Sequence, residues 1–569
     1  MKNSKYFWVD WLIIALYFAI IFSVCVVMKY RKKKHPSSNE KEIPNKVVGF
    51  SIYATGLSSI TFLSVPGTAF SDDWMFAFGN LTICFLTPLL IYFFLPLFKS
   101  LSCQSLFENI SKRYNLSLKR TLAFFYLLYN IFKISLMIYL PASSLSLIIE
   151  SKTDDYIYLF IIIVGVVTIM YSYLSNFKQI VWINFFQTFL IIASLTITVM
   201  FLIVGSAKIN ALDFNEFISE GKFLKSSNWL FSLTSASIPI ILISEMINTI
   251  YLYGCSKDIT QHYISNRKVV DTSESLKTNG IIVFFMVILF YVLGSLLWTF
   301  FKHKSGYEIN SDHTLSYNGE VVCDSDNIVT YYMWHVLPVG VSAIALIGML
   351  AASQSSISSS LNSISEIIIK NFLVNTNERT KVLIRNFSIS ISGVFAIVLS
   401  LAFAGLGIGD IFPFFISISG FYSAPMVGIV LLGLFSKKAN TIDAYLGLSF
   451  GLSVCFITWI FSCKFIPGQH INEIYIPTLG LISTSLISLI TSSCRKNPVE
   501  NYQDRNIFIC FNKTQKKEFK DTQLDIFYHA RYKEYKFFRK TYNLFVKNKV
   551  EILNYEKYKQ KKIKHKYES

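Results

Sequence analysis

Long apolar runs recur along the whole chain and limit what it can fold into. A run of about 20 apolar residues is long enough to cross a lipid bilayer as a helix. Hydrophobic residues make up 53% of the 569 positions and charged residues only 15%, whereas soluble proteins carry about 25% charged residues. The composition therefore excludes a soluble multidomain enzyme and predicts an all-α polytopic membrane protein.

We predict thirteen membrane spans and number them in chain order. Their approximate bounds are 9–28, 47–70, 74–98, 121–149, 156–175, 179–205, 236–254, 279–302, 337–372, 384–405, 411–435, 441–463 and 472–493. The basic segment 31–34 directly follows span 1, and Lys and Arg accumulate on the cytoplasmic side of membrane proteins. We therefore expect a multi-pass protein of the cell membrane, with its N-terminus outside and its C-terminus in the cytoplasm.

The hydrophilic tail after about Arg495 carries much of the net charge of +18. A cytoplasmic tail is expected to be basic, and aromatic residues such as Phe527 and Tyr528 alternate with its charges. This pattern favours attraction to anionic lipid headgroups. The tail contains no nucleic-acid-binding motif, so we do not expect nucleic acid as a partner.

Span 2 combines small, hydroxyl-bearing and helix-breaking residues in the middle of the membrane. It reads Ala54-Thr55-Gly56-Leu57-Ser58-Ser59-Ile60-Thr61 and continues to Pro66-Gly67. A broken helix exposes backbone carbonyls, which are tolerated at membrane depth where they line a cavity, and there they can bind a cation or a solute. Small residues can equally serve close helix packing, and both interpretations stay open.

Span 9 carries a stripe of hydroxyl groups. Ala352, Ser355, Ser356, Ser359 and Ser363 fall on one helical face at 100° per residue. Such a stripe can offer neutral oxygens to a hard monovalent cation, or it can be a packing seam between helices.

Lys133 lies deep in the apolar sequence of span 4. A charge at this depth is costly and indicates a functional site. The alternative is a structural lysine that reaches the membrane surface or pairs with an acid such as Glu245.

Signatures of the common enzyme mechanisms are missing from the sequence. It contains no GxSxG, Walker A, HExxH or glycine-rich dinucleotide motif. We therefore expect neither an enzyme nor an ATP-driven pump. A secondary transporter, a transporter-like sensor that signals through the tail, and a passive channel remain as alternatives.

Several ordered motifs together resemble the sodium:solute symporter family over roughly residues 47–460. The matching segments are Ala54 to Trp74, Ile138-Tyr139-Leu140-Pro141-Ala142, Val181-Trp182-Ile183-Asn184, Tyr251-Leu252-Tyr253-Gly254, the serine-rich part of span 9, and Ile416-Ser417-Ile418-Ser419-Gly420. The resemblance implies a leucine-transporter-type fold, in which two five-helix inverted repeats, spans 2–6 and 7–11, surround a midplane site. The chain then divides into an extra N-terminal helix with its basic end at 1–34, the transport core at 47–435, extra helices at 436–494 and a basic tail at 495–569.

The resemblance also implies a sodium site between spans 2 and 9. Its ligands would be the backbone oxygens of Ala54, Leu57 and Ala352 and the hydroxyls of Ser355 and Ser356, which agrees with the hydroxyl stripe. Some family members bind a second sodium.

The second site would match Ser355, Ser358 and Ser359 together with an Asp, and Asn184 occupies the position of that Asp. Without the carboxylate, we expect one coupled sodium per transport cycle.

Within the family, the segment from Ile60 to Trp74 looks most like the bacterial sialic-acid (N-acetylneuraminate) symporters. That resemblance implies a solute site of Ser58, Thr61, Phe76, Asn80 and Lys133, where Lys133 replaces an Arg. Lys keeps the positive charge for a solute carboxylate but lacks the bidentate fork of Arg. A small anionic solute is therefore expected, and a carboxylate vitamin, another monocarboxylate or a neutral sugar are the alternatives.

Overall fold

A computed structural model describes residues 7–34, 43–100, 110, 113–146, 155–211, 214–264, 269–372, 377–406, 411–436, 438–463, 471–494, 517–527 and 529–530. The side chains of the basic segment 31–34 lie outside the described part of the chain. The same holds for the predicted tail 495–569, apart from 517–527 and 529–530.

The predicted spans are confirmed in number and position. Within the described ranges, twelve helices are long and apolar enough to cross a membrane, and a bent pair brings the number to thirteen. The bent pair is span 2, Asn45–Gly56 plus Ser59–Ser71. Span 1 is Phe7–Lys34. Spans 3 to 13, in chain order, are Met75–Ser100, Leu116–Ser146, Asp155–Leu174, Phe177–Lys208, Ile238–Cys255, Val269–His303, Val341–Phe372, Glu378–Leu406, Ile411–Phe435, Thr441–Ser462 and Tyr475–Ser493.

Two spans change helical winding along their length. Span 3 consists of Met75–Asn80, Thr82–Leu89, a π-helical turn at Leu90–Phe94 and Leu95–Ser100. Span 7 is α-helical over Ile238–Ile250 and π-helical over Tyr251–Cys255, and the short helix Lys257–Ile264 follows it. π-Helical turns often occur at functional sites. Spans 2 and 7, which would each open one of the two predicted repeats, are therefore both irregular.

Span 9 lies at the centre of the helix bundle. It packs against spans 1, 2, 4, 5, 6 and 10, and nearly all of its side chains between Ala345 and Ser365 are buried. Serine and alanine side chains are small, so they allow this close approach of helix backbones. The hydroxyl stripe therefore serves close helix packing. Whether it also serves a cation depends on which groups the hydroxyls contact.

The loop between spans 8 and 9 contains a small antiparallel sheet that the sequence did not lead us to expect. Its strands are β1 (Tyr307–Ile309), β2 (Leu315–Tyr317) and β3 (Glu320–Cys323), in the order β1-β2-β3. Tyr307 pairs with Tyr317, and Tyr317 pairs with Glu320. The remaining short helices are Phe214–Ser219, Ser226–Trp229, Ser325–Asn327 and Ile328–His335.

Part of the predicted tail packs on the helix bundle. Residues 517–527 are helical, and Ile526 is only 1% exposed in one core cluster with residues of span 3. Gln523 Nε2 donates to Tyr92 O at 2.8 Å. The phenyl ring of Phe519 meets Phe93 edge-on at 6.2 Å between centroids. This segment therefore covers the π-helical turn of span 3.

Candidate functional site

The break in span 2 frees backbone carbonyls in the interior of the bundle. The helix halves meet at an angle of 67°, and Leu57 and Ser58 between them have extended backbones. Ser58 Oγ accepts a hydrogen bond from Thr61 N at 3.3 Å and so begins the second half as a helix cap. The last carbonyls of the first half have no partner in a continuing helix, so other groups must satisfy them.

The hydroxyls of span 9 meet these carbonyls. Ser355 Oγ lies 2.8 Å from Ala54 O and 3.0 Å from Ala352 O. Ser356 Oγ lies 3.3 Å from Ala54 O and also contacts Leu57 O. The structure therefore brings all five predicted sodium ligands into one cluster.

The oxygen cluster has more acceptors than donors. Thr55 O is also 3.1 Å from Ser356 Oγ, so three carbonyls surround one hydroxyl, which has a single proton to donate. The carbonyl lone pairs left without a proton carry no formal charge. Neutral oxygens in this arrangement suit a hard monovalent cation, and this set extends the predicted one by Thr55.

The residues of the predicted second sodium site are only partly brought together. Asn184 Nδ2 donates to Thr55 Oγ1 at 3.1 Å and to Ser359 Oγ at 3.2 Å. Ser358 Oγ instead donates to Ser355 O at 3.1 Å along its own helix. Asn184 therefore donates its amide N–H groups to these two hydroxyls, and its Oδ1 has no hydrogen-bond partner among the described residues.

His262 joins this polar network and was not expected from the sequence. Its Nε2 lies 3.0 Å from Ser51 Oγ and 3.5 Å from Thr55 Oγ1. Little in the sequence indicates His262, because no other histidine lies at a metal-ligand spacing from it.

A cavity of about 180 Å³ opens beside the break, smaller than the range of about 300–1,000 Å³ that small-molecule sites usually occupy. Thr61 and Asn80, two of the predicted solute residues, are among its lining residues, and Leu57 borders both the cavity and the oxygen cluster. The full lining is Tyr53, Gly56, Leu57, Thr61, Val65, Gly79, Asn80, Thr82, Ile83, Glu245, Thr249, Leu252, Tyr253, Val283, Met286, Val287 and Phe290.

Three of the predicted solute residues do not line this cavity. Ser58 is buried as the helix cap, Phe76 packs against the main hydrophobic core, and Lys133 lies elsewhere in the bundle. Their roles in solute binding stay predictions. Asn80 donates to Tyr291 OH at 3.1 Å, which fixes its amide at the cavity wall.

Lys133 is held by an acid, and the acid is Asp258 and not Glu245. The Lys133 ammonium contacts Asp258 Oδ2, and both side chains are buried. Tyr126 OH donates to Asp258 Oδ1 at 2.6 Å, and Ser360 Oγ donates to Oδ2 at 3.0 Å. Ser363 Oγ also donates to Oδ1. The charge of Lys133 is therefore neutralised in this conformation by a residue just after span 7.

A helix bundle of this size, with a broken helix that offers neutral oxygens beside a partly polar cavity, is typical of a cation-coupled secondary transporter of the membrane. Residues 40–451 match the sequence profile of the Sodium:solute symporter family. The chain belongs to this family, as the ordered motifs indicated.

Relatives with known names include two bacterial symporters. The chain is 26% identical over 493 residues to the sodium/sialic acid symporter NanT of Aliivibrio fischeri, covering 84% of this chain and 92% of the relative. It is 25% identical over 492 residues to the sodium/sialic acid symporter SiaT of Proteus mirabilis, covering 84% and 94%. The sodium-dependent multivitamin transporter of Oryctolagus cuniculus is 24% identical over 424 residues, covering 73% of this chain and 63% of the relative.

Solved structures confirm the leucine-transporter-type fold. A sodium-coupled sialic acid symporter in a substrate-bound, outward-open state superposes with a TM-score of 0.71 at 23% identity, covering 86% of this chain and 99% of that one. A nucleobase-cation-symport-1 family transporter in a closed conformation gives a TM-score of 0.51 at 10% identity, covering 84% and 97%.

Proposed function

We propose that this protein is a sodium-coupled symporter that imports a sialic acid, N-acetylneuraminate or a close relative, by alternating access. The observation that carries the proposal is the oxygen cluster of Ala54, Leu57, Ala352, Ser355 and Ser356. It joins the broken span 2 to span 9, so a bound sodium would favour one arrangement of the two spans. The names of the two bacterial relatives support the solute.

The proposed driving force is one sodium ion per solute. Asn184 stands where some family members have an Asp, so no negative charge stabilises a second cation there. Its amide N–H groups donate to Thr55 and Ser359. One sodium ion moving with one solute carboxylate transfers no net charge, so the sodium concentration gradient alone drives uptake, and a tenfold gradient, about 1.4 kcal/mol, supports about tenfold accumulation. We propose no enzymatic reaction for the chain.

We propose that Thr61 and Asn80 bind the solute in the cavity, with Ser58 and Phe76 supporting them from behind. Lys133 would receive the solute carboxylate only if that carboxylate replaced Asp258, because the ammonium already contacts Asp258. Binding of an anion would then release the residue after span 7 from span 4. Solute binding at Lys133 would thus be coupled to movement of the segment that follows span 7.

The exchange can be tested with two substitutions. Lys133→Met leaves Asp258 as an unpaired buried charge and should cost about 3–5 kcal/mol of stability. Adding Asp258→Asn to Lys133→Met should restore folding, measured by thermal unfolding in detergent. If the refolded double variant still transports N-acetylneuraminate with the wild-type KM, Lys133 is not the carboxylate partner.

The function itself is tested by uptake of labelled N-acetylneuraminate into proteoliposomes. An inward sodium gradient should drive accumulation above equilibrium, and replacing sodium with potassium should abolish it. Unlabelled biotin, pyruvate and glucose test the alternatives of a vitamin, a monocarboxylate or a neutral sugar. Absence of uptake by folded protein, or strong competition by one of these compounds, would reject sialic acid as the solute.

We also propose the plasma membrane as the location, with the N-terminus outside and the C-terminus in the cytoplasm. The acidic loop from about 303 to 336 supports an outer position, since basic residues concentrate in inner loops. Labelling single cysteines placed at Asn318 and Gln523 with an impermeant reagent on intact cells tests the orientation. Only the loop cysteine should react. The basic remainder of the tail would then face anionic headgroups of the inner leaflet.

A further inference from the structure

Glu245 is an acid inside span 7 that the proposed mechanism does not use. It lines the solute cavity, and it is the one Asp, Glu, Lys, Arg or His among the described residues of that lining. An ionisable side chain within a spanning helix is costly to keep there, and it usually marks a pathway for a solute or an ion. Its position on the cavity wall gives it direct access to whatever the cavity holds.

The carboxylate of Glu245 has unused hydrogen-bonding capacity. In the described part of the chain, it accepts one long hydrogen bond, from Asn248 Nδ2 at 3.4 Å on its own helix, and it forms no ion pair. An ionised carboxylate can accept about four hydrogen bonds. Lys133, the other charge deep in the membrane, is engaged by Asp258. Glu245 is therefore an acceptor in need of donors.

The opposite helix is shaped to make room for this side chain. Gly79 of span 3 faces Glu245, and a Cβ added there would lie 2.8 Å from Glu245 Cγ and 2.8 Å from Ile241 Cγ2. Asn80 and Thr249 line the cavity beside it, and Thr249 Oγ1 lies 3.0 Å from Thr82 Oγ1. These residues form a polar wall, defined as Asn80, Thr82, Glu245 and Thr249.

Apolar residues make up much of the remaining lining, among them Val65, Val283, Met286, Val287 and Phe290. A solute in the cavity would therefore meet both hydrogen-bonding groups and hydrocarbon. In its ionised form Glu245 would make the polar wall repel a carboxylate and attract O–H and N–H groups. A small monocarboxylate without such donors would leave Glu245 unsatisfied.

We propose that Glu245 is a specificity-determining residue that binds hydroxyl or amide donors of the solute and turns the solute carboxylate away from the polar wall. The cavity thereby selects polyhydroxylated or amide-bearing acids over simple monocarboxylates. This inference rests on the proposed function, because it describes how the imported sugar acid is recognised. It adds a residue from span 7 to a site that the sequence assigned to spans 2, 3 and 4.

The test compares wild type, Glu245→Gln, Glu245→Asp and the control Met246→Leu in proteoliposomes with a fixed sodium gradient. The amide of Gln keeps the shape of Glu and removes the charge. Since a hydrogen bond to a charged group is worth about 1–1.5 kcal/mol more than a neutral one, the KM for N-acetylneuraminate should rise about 5- to 10-fold in Glu245→Gln. The preference for N-acetylneuraminate over pyruvate, measured by competition, should fall by a similar factor. Glu245→Asp should recover part of the loss, and Met246→Leu should behave as wild type.

Two readouts separate recognition from folding and from the proposed function. Sodium-dependent thermal stabilisation in detergent should be the same in Glu245→Gln and wild type, because the oxygen cluster is intact. An unchanged or lower KM in Glu245→Gln, or loss of the sodium effect together with uptake, would overturn the role of Glu245. Absence of N-acetylneuraminate uptake by wild type would reject the proposed function and this inference with it, and that result is visible before any variant is compared.

Discussion

Replacing Ser356 with Ala removes the hydroxyl that contacts the most carbonyls in the oxygen cluster. Its Oγ lies 3.3 Å from Ala54 O and 3.1 Å from Thr55 O, and it contacts Leu57 O. These carbonyls all belong to the break in span 2. A sodium ion in the cluster would lose one of five predicted ligands in Ser356→Ala, and the break would lose its main attachment to span 9.

The expected cost follows from the polarity of the contact. A hydrogen bond to a charged group is worth about 1.5–3 kcal/mol, and we take the same value for the contact between the Ser356 hydroxyl and sodium. This energy corresponds to about 10- to 100-fold in affinity. Water has little room to replace the hydroxyl, because Ser355, Ser356 and Ala352 are fully buried. We therefore expect the sodium concentration for half-maximal uptake to rise by this factor in Ser356→Ala.

The assay is uptake of labelled N-acetylneuraminate into proteoliposomes over a range of external sodium concentrations at fixed membrane potential. Ser353→Ala is the matched control, since Ser353 is buried on the same helix but donates to Met137 O at 2.7 Å, outside the cluster. Ser353→Ala should keep the sodium dependence of wild type. If Ser356→Ala and Ser353→Ala differ by less than about twofold, the oxygen cluster does not bind the coupled sodium.

Three further predictions test the second cation position, the packing of the broken helix and the docked tail. Asn184→Asp places a carboxylate beside Thr55, so the sodium-to-solute ratio from paired influx of radioactive sodium and labelled solute should rise from one towards two; an unchanged ratio would contradict the role assigned to the amide. Gly294→Ala would put a Cβ 2.7 Å from the Ala69 Cβ and nearer still to Pro66 O. It should destabilise the protein by about 1–3 kcal/mol, whereas Gly405→Ala, which meets nothing within 4 Å, should melt as wild type. Ile526→Asp should release the helix 517–527 and expose it to protease while uptake continues, whereas Phe527→Asp, at a position 46% exposed, should leave it protected; equal cleavage of the two would argue against docking.

The sequence predicted the parts of this protein that are governed by local composition. The thirteen spans follow from apolar length. The small residues and Pro66 in mid-membrane left a broken helix and close helix packing equally open, and the structure shows the break after Gly56. The meeting of Ala54 and Leu57 with the serines of span 9 was predicted from the family resemblance, because no local pattern relates residues about 300 positions apart.

The unpredicted features depend on long-range packing. Lys133 is joined to Asp258, 125 positions away, and nothing in the sequence distinguished Asp258 from Glu245 as its partner. The place of Glu245 in the cavity lining was missed for the same reason. The three strands between spans 8 and 9 are only three or four residues long, too short for their alternation to stand out from a polar loop. Five of the eleven residues of the docked tail segment are charged, and its few buried side chains gave no signal.

The central claim is that sodium bound at the break in span 2 moves together with the solute. The most direct test measures the influx of radioactive sodium and of labelled N-acetylneuraminate in the same proteoliposomes, for wild type and for the double variant Ser355→Ala/Ser356→Ala. We predict that solute triggers sodium entry in a constant proportion in wild type, and that both fluxes are lost together in the double variant. Solute entry without accompanying sodium, or coupled entry that survives in the double variant, would contradict the claim.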